Sequence, residues 1–224
     1  MSDLRKGGLA LIVGNCALLL TMALHPTGQQ LAANFDALAL LNASVHTLAI
    51  FALPLLFLGA LALTREIEDG KRLATAAMVF YAFALCAGMF AGAMSGYVAP
   101  DILHRAARAT DLPTQQFWRA LFRLSGMMNQ AFARILVIGA AVAIILWSCA
   151  IASRGLRWYG ILSSAAIIVA VLAGLPLDVH GYGLVVLLQG GWFITIASQM
   201  WRGSPPRPAS RGAAPIPERS TYTA

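Results

Sequence analysis

The sequence predicts an all-α fold: a polytopic integral membrane protein of six transmembrane helices, with an outer interfacial helix between the third and the fourth. Three observations predict it. Of 224 residues, 59% are hydrophobic and 11% charged, against roughly 45–50% and about 25% in soluble domains, so water is excluded as the main solvent. Six apolar runs have the length of about 20 residues, with a range of roughly 17–25, that a bilayer span requires. Between them lie short segments rich in Lys and Arg, where basic residues orient helices in a bilayer. The net charge of +7 is therefore read as topological, and the expected surroundings are lipid and not nucleic acid.

The first run, Leu9 to Leu24, reaches spanning length when it begins at Gly7-Gly8. Arg5 and Lys6 before it resemble the basic start of a signal peptide. Asn15 interrupts the run, however, and no small-x-small cleavage site follows Leu24, so a retained helix is expected. The second run, Leu38 to Leu63, carries Asn42 and His46 one turn apart on one face. The third, Leu73 to Val98, carries Gly88, Gly92 and Gly96 at every fourth position, with Ala84 extending the series. Lipid does not drive helices together by the hydrophobic effect, so a smooth stripe that lets backbones approach closely is a packing device. It is expected to meet another helix of this chain, or the same helix in a homo-oligomer.

The connection from Ala99 to Arg134 is too polar to span. After Asp111-Leu112-Pro113, an acidic cap with an early proline, Phe117, Trp118, Leu121, Phe122 and Met128 recur at helical spacing beside Arg119 and Arg123. That pattern predicts an amphipathic helix on the outer membrane surface, or else an N-terminal extension of the fourth span. The remaining runs are Ile135 to Ala152, Trp158 to Leu177 and Tyr182 to Trp201. Residues 1–201 thus form one transmembrane domain. Residues 202–224, rich in Pro, Arg and Ser, cannot bury a core and are expected to be a disordered cytoplasmic tail.

With the N-terminus inside, 11 of the 16 Lys and Arg lie on the cytoplasmic side, and without the tail the ratio is 7 to 5. Both termini are therefore placed in the cytoplasm and the chain in the cell membrane. Trp158, Tyr159 and Trp201 mark the inner interface, Tyr97 and Tyr182 the outer one. The order of three spans, a long connection and three spans is also that of an inverted repeat, although only a four-residue apolar match supports duplication.

In this topology His25, His46, His104 and His180 all fall on the outer side. Histidine is a common metal ligand and titrates near neutral pH. The four are the candidate metal or haem ligands, with Asp36, Asp101 and Asp178 placed to complete or orient a site. His46 lies inside a span, and polar residues at that depth face the bundle interior, so Asn42 and His46 are expected to be a buried hydrogen-bonded pair. Haem needs axial ligands across facing helices, which would require His25 or another rim residue opposite His46. Cys16, Cys86 and Cys149 lie singly in three runs, which indicates neither a disulfide framework nor a thiolate metal site; they are read as inert packing residues.

No H-E-x-x-H, G-x-S-x-G, Walker-type loop or G-x-G-x-x-G is present. All nine carboxylates lie in loops, tails or span ends, which disfavours a carboxylate-based ion pump. Two runs have the look of signatures without naming an activity: His-Pro-Thr-Gly after the first span and Ser-Gly-Tyr-Val-Ala-Pro after the glycine stripe. Three functions remain open. They are a non-catalytic accessory, sensory or assembly bundle with a partner membrane protein, a small-solute transporter or channel, and a membrane enzyme or redox protein with an outer histidine-held metal or haem.

Overall fold

Hydrocarbon offers a backbone nothing to bond with, so long apolar segments satisfy their own N–H and C=O groups as helices. The computed structural model describes residues 2–26, 30, 34–67 and 70–203. Among them, six helices are long and apolar enough to cross a membrane. They are α1 (Asp3–Leu24), α2 (Phe35–Glu66), α3 (Lys71–Ala93) running on through a π turn at Met94–Val98 into α4 (Ala99–Arg108), α5 (Leu112–Ala150), α6 (Arg154–Leu172) and α7 (Val179–Trp201). Residues 204–224, nearly all of the expected tail, and the side chain of Asp36 lie outside the described residues.

Two expectations need correction. Residues 112–134 do not form a separate interfacial helix: α5 is continuous over 39 residues. No proline follows Pro113 within it, and Gly126 has open space around its Cα, so nothing breaks the helix between the amphipathic stretch and the apolar one. The cysteines do not pack in the core either, since Cys16, Cys86 and Cys149 are all on the outer surface of the bundle.

The third candidate span covers 38 residues and the fourth 39, about 57 Å each at about 1.5 Å per residue. Both greatly exceed the roughly 30 Å of a hydrocarbon core. The surplus forms a hairpin in which α4 packs along the start of α5. Arg105 bonds Asp101 at 2.8 Å and lies over the Trp118 ring, 5.5 Å from its centre.

The helices close into a ring. α1 packs on α2 and α7, α2 on α3, α3 on α5, α5 on α6, and α6 on α7. Small residues let these contacts close: a Cβ on Gly7 would collide with Ala62, and one on Gly59 with Leu11. At the end where α1 starts and α7 finishes, aromatic rings fill the middle. Trp147 stacks on Trp192 at 6.3 Å, and Tyr81 and Phe193 lie edge-on or tilted against them. Both indoles are satisfied, Trp147 donating to Thr64 Oγ1 at 3.1 Å and Trp192 to the Leu156 carbonyl at 3.2 Å. The outward faces are apolar as well, with Phe51, Phe83 and Val169 exposed.

Candidate functional site

Above the aromatic plug the ring is hollow. A cavity of about 410 Å³ is lined by α1, α2, α3, α5 and α7, with Leu177 and Asp178 at its rim. Most of its wall is apolar. Its polar groups include Asn15, His25, His46, Gln130 and Gln189, and Tyr81 and Phe193 form the floor. Tyr81 is 3% exposed, and its hydroxyl bonds no neighbour among the described residues. Asn15, Gln130 and Gln189 each donate a side-chain amide N–H to a backbone carbonyl, of Leu11, Leu177 and Val137 respectively. Their amide oxygens are left for another donor.

The cavity's far end is built around Pro100. In an α-helix a proline ring clashes with the carbonyl four residues back and supplies no N–H. The chain answers with a π turn, in which the Ala99 N–H bonds the Met94 carbonyl. The next donor in that register would be residue 100, a proline, so the Ser95 carbonyl has no helical partner. Asn42 supplies it from α2, its Nδ2 donating to Ser95 O at 3.0 Å. One residue on, Gly96 is so close to α2 that an added Cβ would lie 2.5 Å from the His46 Cβ. Tyr97 closes the contact, its hydroxyl 2.7 Å from Thr47 Oγ1.

Asn42 and His46 are both buried, but their side chains do not bond each other. The His46 Nδ1 lies 2.7 Å from the Asn42 backbone oxygen, the carbonyl that a residue four positions on can reach along a helix. The partner of His46 is His25. The two Nε2 atoms are 3.2 Å apart and the rings meet edge to face at 4.8 Å. His25 follows α1, with Nδ1 2.7 Å from the Pro26 carbonyl oxygen. Burial pushes its imidazole toward the neutral form. Thr21, one turn earlier, ties the two helices by donating to the Val45 carbonyl at 3.2 Å.

The other two candidate ligands stand apart, since neither His104 nor His180 lines the cavity. His180 is exposed in the first turn of α7, where Asp178 Oδ1 accepts from the backbone N–H groups of His180 and Gly181 at 3.1 and 2.9 Å. Among the described residues no three His, Cys, Asp or Glu converge as a ligand set. Of the glycine stripe, Gly88 faces Leu136 on α5, while Gly92 and Gly96 face Ile50 and His46 on α2. Sequence reasoning missed Tyr81, which reads as an ordinary core aromatic, and Gln130. The chain matches no family model, no curated protein and no solved structure.

Proposed function

We propose that the chain is a polytopic cell-membrane protein, both termini cytoplasmic, whose bundle binds a small lipid-soluble molecule in this cavity and works as a sensory or accessory component. The orientation is supported by the Lys and Arg distribution, 11 of 16 on the inner side. The binding reading rests on one observation: a cavity of about 410 Å³ with an apolar wall and a few polar groups not fully engaged by the protein, Tyr81 foremost. Ligand pockets run from about 300 to 1,000 Å³, apolar with a small number of placed polar groups. The aromatic plug closes the cavity toward the other end, which suits a receptor better than an open channel. Among the described residues that line it, no nucleophile stands beside a base, which favours binding over turnover.

Gly190 provides the test. It lines the cavity, and an added Cβ there meets nothing closer than Asn15 Oδ1 at 3.4 Å. The Cβ of a substituted residue is therefore in ordinary contact, and a leucine carries three further carbons at the cavity wall. The experiment is a thermal-stability screen of detergent-purified protein against lipid-soluble compounds carrying one or two hydroxyl groups, which can donate to the amide oxygens and accept from Tyr81. A true ligand at about 100 times its Kd stabilises by about 2.7 kcal/mol, raising the Tm of wild type and not that of Gly190→Leu. Equal shifts in both proteins, or none across the panel, would count against the proposal.

A further inference from the structure

A carbonyl oxygen only accepts hydrogen bonds, so the Nδ1 atoms of His25 and His46, each 2.7 Å from one, must both carry the ring proton. In neutral rings both Nε2 atoms are then lone-pair acceptors, and they face each other at 3.2 Å. Two acceptors so placed repel unless a positive species lies within reach of both.

We propose that His25 and His46 are two ligands of a first-row transition-metal ion from the copper–zinc end of the series, whose remaining coordination positions open onto the cavity. Three observations carry this. Two nitrogens at about 2.0–2.1 Å from a tetrahedral ion lie about 3.3–3.4 Å apart, close to the 3.2 Å found between the two Nε2 atoms. An Nδ1–H donated to a backbone carbonyl is the outer contact that metal-bound histidines make, fixing the tautomer that leaves Nε2 free. The pair is also held from both sides: Gly96 packs on His46, and Thr21 bonds the residue before it. Imidazole without thiolate suits zinc and copper, and the cysteines face outward. The inference rests on the cavity reading and deepens it. The bound molecule is one with an oxygen or nitrogen that completes the ion's shell.

The test uses the full chain in detergent, stripped with chelator, then titrated with Zn²⁺ by calorimetry and with Co²⁺ by visible absorption. One ion per chain is expected. His25→Gln and His46→Gln should each weaken binding by more than about 100-fold, beyond the 10–100-fold that losing an outer contact costs, whereas His180→Gln should leave it unchanged. Gly190→Leu should keep the ion and lose the small molecule, which separates failure of the cavity reading from failure of this one. No stoichiometric ion in wild type, or binding indifferent to both histidine substitutions, overturns the proposal. If the glutamine variants do not fold, ¹⁵N spectra of wild type decide. Two histidine Nε2 signals that move on adding Zn²⁺ support the site; spectra that Zn²⁺ leaves unchanged, with one proton shared between the rings, refute it.

Discussion

Gly96 shows how a single absent side chain sets the site. The missing Cβ lets the π turn settle against His46, with 2.5 Å between the position that Cβ would take and the His46 Cβ. Both atoms belong to near-backbone positions, so neither can swing aside. Gly96→Ala is therefore expected to destabilise by about 1–3 kcal/mol, as overpacking does. Gly183→Ala, with nothing within 4 Å of its Cβ, should leave stability in detergent close to wild type; equal melting of the two variants would contradict the contact. At this scale the sequence was partly legible. Asn42 and His46 stood out because polar groups at membrane depth face inward, and Gly96 because it recurs with Gly88 and Gly92. That His25 meets His46 was not legible, since nothing in their spacing fixes the rotation of α1 about its axis. Nor was Tyr81, because aromatic spacing does not reveal a hydroxyl without a partner.

The π turn links these residues to the element that carries them. Pro100 removes one donor and forces a wider turn. Pro100→Ala restores the N–H and lets the turn tighten, rotating α4 by about 100°, one residue's share of a helical turn. The contact of Arg105 with Trp118 should then break. The fluorescence difference between wild type and Trp118→Phe should change in the Pro100→Ala background; an unchanged difference would mean that the turn is held by its neighbours and not by the proline. At the start of α5, Asp111 Oδ1 accepts from the Thr114 N–H at 2.8 Å, and that bond holds its carboxyl below the ordinary value of 3.8. A depressed folded pKa means that the cap is complete above that value and lost as pH falls through the lower folded one. The protection of the Thr114 amide against exchange, relative to an unstructured peptide at the same pH, should therefore fall only once the pH drops below 3.8, and protection that stays level would count against the cap. The six long helices were readable from length and hydropathy alone. The unbroken course of α5 was not, because an amphipathic stretch running into an apolar one looks the same whether the axis bends at the interface or runs straight.

At the scale of the whole molecule, the arrangement follows from uneven filling of a ring. Trp147, Trp192, Tyr81 and Phe193 occupy the middle at one end. The other half is lined by smaller residues such as Ala49, Gly88, Ala91, Gly92 and Gly190, which leave space between the helices. The order of helices in the ring was beyond the sequence, because apolar residues surround each helix and mark no single inward face. The proposed occupant of this space is a small lipid-soluble molecule. The most direct measurement is mass spectrometry of the compounds extracted from detergent-purified wild type and from Gly190→Leu, both shown to be folded by their melting transitions. One compound, close to one per chain, is expected in wild type, and its loss in Gly190→Leu. The same compound in equal amount in both, or none in wild type after purification in mild detergent, would contradict it.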